Sequence, residues 1–118
     1  MVERRVLGLA GEHLAERELE HLGYRVVARN VRTRMGEIDL VCQGREGYLF
    51  VEVKTRRAGS FVAAVEAIDR RKARRLEMLA QSWLAQRGER SASWRIVIAA
   101  LTVDADGTRL ELVDLEGD

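Results

Sequence analysis

Apolar residues recur at helical spacing over residues 3–22, where Leu7, Ala10, Leu14, Ala15 and Leu22 fall on one face at about 100° per residue. Gly23 follows and stops that helix at its C′ position. A second helical pattern covers residues 64–86. There Ile68, Leu76, Leu79, Trp83 and Leu84 share a face, Arg70, Arg71, Arg74 and Arg75 lie largely outside it, and Gly88 ends it. Between the helices the period drops to two. Tyr24–Val27 reads as a first strand and residues 28–36 as an arginine-rich connection. Glu37–Cys42 and Tyr48–Val53 are β-forming runs around a polar Gln43–Gly47 turn, which is a hairpin signal. Residues 55–63 read as a polar loop. Trp94–Val103 is a buried strand, Asp104–Gly107 a hairpin turn with glycine at the left-handed position, and Thr108–Leu115 an edge strand whose acids guard it against pairing. Together these elements predict a single α/β domain over residues 1–118, a mixed sheet of about five strands flanked by two long helices.

Side chains alternate faces along a strand. In the first hairpin strand this groups Ile38, Leu40 and Cys42 on one face and Glu37, Asp39 and Val41 on the other. In the second it groups Leu49, Val51 and Val53 against Tyr48, Phe50, Glu52 and Lys54. Antiparallel pairing sets the Gly36 end beside the Lys54 end, so three acids and an amine meet there. Carboxylates on strands with an apolar reverse face are partly buried, and buried charge must pair or bind metal. Oxygen donors in this number suit a hard cation such as Mg²⁺. A lysine beside it would hold or activate a water, or steady charge on a phosphate oxygen. A plain Lys–Glu pair on a half-exposed strand has the same spacing; the Gly36–Leu40 run at hairpin distance favours the site.

Composition narrows the setting. Hydrophobic residues make up 47% and charged residues 33% of 118 positions, which suits a folded domain rather than a disordered chain. No apolar run is long enough to span a membrane, and the apolar part of the N-terminus, broken by Glu12 and His13, is too short for a signal peptide. The single cysteine, Cys42, excludes an internal disulfide framework and points to a cytoplasmic setting; with two histidines it makes a structural zinc site a poor fit. His13 and His21 read as solvent-facing. Net charge is only +1, but residues 25–34, 54–57 and 70–75 are rich in Arg and Lys and contain no acid. Acids gather instead near the C-terminus. That asymmetry points to an anionic partner on one face.

Asp39 with Glu52-Val53-Lys54 resembles the D…(D/E)-x-K core of the PD-(D/E)XK nuclease superfamily. The fuller pattern, GEIDLV with FVEVKTR, is similar to the small bacterial family often called YraN, related to archaeal Holliday-junction resolvases. The resemblance runs to about residue 85 and is strongest over residues 36–57. It implies a restriction-endonuclease-like core of αβββαβ order, Mg²⁺ or Mn²⁺ as cofactor, and hydrolysis of phosphodiester bonds in DNA, including branched or structured forms. Asp39 and Glu52 would then be metal ligands, with the Val53 carbonyl a third. Glu12, about eleven residues before Gly23-Tyr24 as in resolvase-like helices, would complete the site, with Glu16 the alternative one turn on. Glu37 would bind metal or orient Lys54, and Lys54 would place the attacking water. Arg29, Arg32, Arg34, Arg56, Arg57 and Lys72 would hold nucleic-acid phosphates. Resolvase relatives work as dimers, which leaves a homodimer open here. The rival expectation is a non-catalytic nucleic-acid-binding module on the same fold. Where YraN-like sequences tend to carry Arg-Phe-Asp, this chain reads Ser93-Trp94-Arg95, so an acid is replaced by Arg95.

Overall fold

The computed structural model describes residues 4–57 and 70–115. Side chains are described from residue 10 onward and exclude that of Arg57. The elements run α1 (Arg4–His21), β1 (Arg25–Thr33), β2 (Gly36–Gly44), β3 (Gly47–Arg57), α2 (Arg70–Gln86), β4 (Trp94–Asp104) and β5 (Gly107–Asp114). They form one five-stranded sheet in the order β1-β2-β3-β4-β5. All neighbours are antiparallel except β3 and β4, which are parallel. Parallel neighbours need a crossover, and the chain between β3 and β4 carries α2. This is the α/β architecture and αβββαβ order expected, with β5 added as an edge strand.

The two helices cover opposite faces of the sheet. Ala15 and Leu19 of α1 pack with Leu40, Cys42, Leu49, Val51, Val97 and Leu101. Leu76, Leu79, Ala80 and Leu84 of α2 pack with Ile38, Val41, Tyr48, Phe50 and Ile96. Strands covered on both faces read as unbroken apolar runs, which is why Tyr48–Val51 and Ile96–Ala99 are buried throughout. Gly23 ends α1 at φ 98°, with the Tyr24 N–H donating to the Leu19 carbonyl at 3.0 Å.

Four expectations need correction. Residues 28–33 are strand: β1 continues to Thr33, and its alternation is hidden by a bulge between Val26 and Ala28 and by Asn30 at φ 49°. Residues 55–57 also belong to a strand, because Thr55, Arg56 and Arg57 pair with Leu101, Thr102 and Val103 of β4, and pairing to a buried neighbour overrides polar composition. Along α1, Ala15 is buried and Leu14 packs against the core as expected, but Gly11 and Leu19 share the contact stripe with them; Ala10 is exposed, and Leu22 lies past the last helical residue with 60% of its surface exposed. Finally, Ile38 does not share a face with Leu40 and Cys42 but packs with α2, so alternation slips at Asp39. The Leu7 side chain, the part of the expected loop at residues 58–63 and the expected helix start at residues 64–69 lie outside what is described.

Candidate active site

Along β3 the side chains facing α2 are Tyr48, Phe50 and then Glu52. The first two are buried in the α2 core. Glu52 is the one buried charged residue among the described residues, 7% exposed. Two ammoniums meet it, both on Oε1: Lys54 Nζ at 3.4 Å and Lys72 Nζ at 3.0 Å. Lys72 stands one turn before Leu76, where the buried stripe of α2 begins. Burial works against the charge on Lys72, but the hydrogen bond and negative charge of Glu52 outweigh it and hold its pKa above the ordinary value.

Asp39 arrives from β2. The β2–β3 ladder runs from Gly44↔Gly47 to Leu40↔Val51. One residue beyond Leu40 and two beyond Val51, the Val53 N–H donates to Asp39 Oδ2 at 2.7 Å, so a carboxylate takes a backbone donor where the ladder ends. Burial pushes the Asp39 carboxyl up to about 7, helped next by the charge of Glu52; the Val53 hydrogen bond opposes the rise, and Glu12 and Glu37 add to it.

Glu12 reaches this region because Gly11 precedes it. A Cβ on residue 11 would collide with the Thr55 hydroxyl and press on Leu101, so glycine lets α1 lie close against β3 and β4. Burial raises the Glu12 pKa, Glu37 raises it further, His13 opposes, and Glu52 adds to the rise. Glu16, one turn on, is engaged elsewhere. Arg29 grips it with two hydrogen bonds, Nε donating to Oε2 at 3.0 Å, and this holds the Glu16 carboxyl below its usual range. Glu37 is exposed and pairs with Arg32 at 3.3 Å.

The match to known proteins follows from this order of elements and residues. The model of the uncharacterised protein family UPF0102 matches residues 11–112. The chain belongs to that family. UPF0102 is the family indicated by the YraN-like motif, and its match extends past residue 85 through β4 and into β5. A UPF0102 protein of Mycobacterium sp. (strain JLS) is 40% identical over 116 residues, covering 97% of this chain and 85% of its own. One from Symbiobacterium thermophilum is 43% identical over 106 residues, covering 90% and 89%. One from Geobacter sulfurreducens is 37% identical over 108 residues, covering 91% and 84%. Among solved structures the chain is similar to SfsA of Pyrococcus furiosus in complex with Ca²⁺, at TM-score 0.44 and 18% identity, over 98% of this chain and 64% of that one. That likeness is too distant to carry an argument.

Within this UPF0102 chain, Asp39 carries the nearby charge of Glu52, Glu12 and Glu37 together. Among the described residues no three His, Cys, Asp or Glu side chains are gathered tightly enough to enclose an ion. The donors that are present suit a hard cation: they are oxygens, and the half-buried Asp39 carboxyl meets the field of a second carboxylate that a divalent ion would offset. Two lysines supply positive charge at Glu52.

The residues expected to hold phosphate divide. Arg29 and Arg32 are in ion pairs with Glu16 and Glu37. Lys72 points at Glu52, a role missed in the sequence, where only its position one turn before the first buried leucine of α2 hints at it. Arg56 is half-buried, and the Arg57 side chain lies outside what is described. Arg34 lines an open cleft with Arg70, Arg71, Arg74 and Arg75, which belong to the acid-free basic stretches that point to an anionic partner. Arg95, in place of the acid, lies at the opposite end of the sheet, paired with Leu49 in register and with Asp114 at 3.2 Å. Among the described residues no helix is long and apolar enough to cross a membrane.

Proposed function

We propose that this UPF0102 protein is a Mg²⁺- or Mn²⁺-dependent endonuclease that hydrolyses phosphodiester bonds in DNA, branched or structured forms included. The observation that carries the reading is the junction of β2 and β3. There Asp39, with its carboxyl pushed up to about 7, lies beside the buried Glu52 and its two lysines, all within the D…E-x-K pattern. Asp39, Glu52 and the Val53 carbonyl would hold the ion, with Glu12 completing the set directly or through water. When bound, the ion would lower the pKa of a coordinated water and offset charge on the phosphate oxygens. Lys54 would hold the attacking water or a phosphate oxygen in place, since its side chain is only 31% exposed and its ammonium is already directed at Glu52. Lys72 would keep Glu52 turned into the site.

A second reading, a non-catalytic nucleic-acid-binding module, is favoured by one feature: both lysines engage the Glu52 oxygen that an ion would need. The discriminating experiment incubates branched, nicked, single-stranded and duplex DNA with the protein and Mg²⁺ or Mn²⁺. Metal-dependent cleavage that disappears in Lys54→Met, with DNA binding retained, is the expected result. No cleavage of any form by the wild type would favour the binding module.

A further inference from the structure

The exposed side of α2 carries a groove that the proposed reaction does not use. Arg71, Arg75, Met78, Ser82 and Ala85 recur at three- and four-residue spacing, so they form one stripe beside the buried one. This stripe lines two cavities that meet at Met35 and Met78. One, of about 810 Å³, is walled by Arg34, Arg70, Arg71, Arg74 and Arg75, with no acid among the described residues that line it. The other, of about 540 Å³, continues past Gln81 and Ser82 to Arg90 and Trp94. From Arg70 to Ala85 the groove follows about 22 Å of helix axis at the usual rise per residue.

The cationic end abuts the carboxylates. The Arg75 side chain lies over Gly36, with its Cδ 3.2 Å from where a Cβ of residue 36 would be. Gly36 leads directly into Glu37 and Asp39. Lys72, on the same helix three residues before Arg75, contacts Glu52. None of the five guanidiniums has a carboxylate partner among the described residues, unlike Arg29 and Arg32 on β1. A polyanion is the ligand such a wall fits.

The middle of the groove is not cationic. Met35 and Met78 are 41% and 54% exposed, side by side where the two cavities join. Thioethers are soft and pack well on flat π surfaces. A duplex keeps its base faces stacked inward and offers only base edges in its grooves, so it presents no open π face for such side chains to cover. An unpaired strand offers both phosphates and base faces. We propose that this groove binds an unpaired nucleic-acid strand, with phosphates on the arginine wall and bases over Met35, Met78 and the edge of Trp94, leading into the carboxylate site. The assignment rests on the nuclease reading for what happens at that site, but binding in the groove is measured without metal.

Fluorescence anisotropy in EDTA tests it with a blunt duplex, the same duplex carrying a single-stranded tail, and phosphatidylglycerol vesicles. The tailed duplex is expected to bind at least about tenfold tighter than the blunt one. Arg71→Gln/Arg74→Gln/Arg75→Gln removes that preference and lowers the salt slope on the single strand by about 2. Met78→Ser reduces the preference and leaves the salt slope unchanged. Equal affinity for the two duplexes, or an unaltered triple variant, overturns the proposal. So does vesicle binding that is lost in the triple variant while DNA binding persists. A tail preference without metal-dependent cleavage sinks the nuclease reading and keeps the groove; cleavage without a tail preference does the reverse.

Discussion

The two halves of β3 have opposite chemistry on one continuous strand. From Tyr48 to Val51 it has β2 on one side and β4 on the other, and all four side chains are buried and apolar. From Glu52 to Arg57 it keeps β4, but the ladder to β2 has ended. In that second half the chain carries a buried carboxylate, a half-exposed lysine and a backbone N–H donated to Asp39. A strand enclosed on both edges and both faces has room only for side chains that need no partners. Where a neighbouring strand departs, backbone donors and charged side chains must satisfy each other instead. Stability and candidate chemistry therefore follow one another along the same ten or so residues.

The largest expected effect breaks the first half. Phe50 is 1% exposed and ringed by Tyr48, Trp83 and Trp94. Phe50→Ala is expected to cost about 3–5 kcal/mol in urea denaturation. A loss near zero would mean the aromatic cluster does not anchor the sheet.

The second half should respond with the opposite sign. The Asp39 carboxyl moves from 3.8 to about 7 on folding, chiefly through burial and then through the charge of Glu52. Between those values the folded state holds a proton that the unfolded chain has released. Stability therefore falls as pH rises through that window, and the deficit is complete above it. Asp39→Asn removes the charge and can still accept the Val53 N–H. In EDTA at pH 8 it is expected to stabilise the protein by on the order of 1–3 kcal/mol, with the gap closing as pH falls toward the carboxylate range. Melting temperatures of both proteins across pH check this; a destabilised variant at pH 8 contradicts it.

The smallest effect sharpens the contrast between ion pairs at the two ends. Arg95 and Asp114 pair at 3.2 Å with both side chains well exposed. Arg95→Ala is expected to change stability by less than about 1 kcal/mol, read in the same urea titration. A loss as large as that of Phe50→Ala would show that the Arg95–Asp114 pair and its Tyr24 hydrogen bond are structural anchors.

Much of this arrangement could be read in the sequence because it is local. The hairpin, the helix stops at Gly23 and Gly88, the β4–β5 turn and the D…E-x-K spacing all depend on residues near one another in the chain. What escaped depends on tertiary neighbours. Lys72 becomes a partner of Glu52 only because α2 packs on the sheet face to which Glu52 points. Ile38 changes face because Asp39 leaves the ladder. The arginines of β1 look free in the sequence, yet Glu16 and Glu37 claim two of them. On α1, Ala15 is legible in the helical period, but Gly11 is not, because its close approach to Thr55 and Leu101 depends on having no side chain.

The central claim, that the opening between β2 and β3 takes up a divalent cation, is tested most directly by calorimetric titration of Mn²⁺ into the wild type, Glu52→Gln and Asp39→Asn, each with and without uncleavable DNA. The wild type is expected to bind Mn²⁺ weakly alone and more tightly with DNA, whose phosphate supplies a further oxygen ligand. Both variants are expected to lose that uptake while binding DNA as well as or better than the wild type in EDTA, since a charge that repels phosphate is gone. Wild-type protein that takes up no Mn²⁺ even with DNA present would contradict the account.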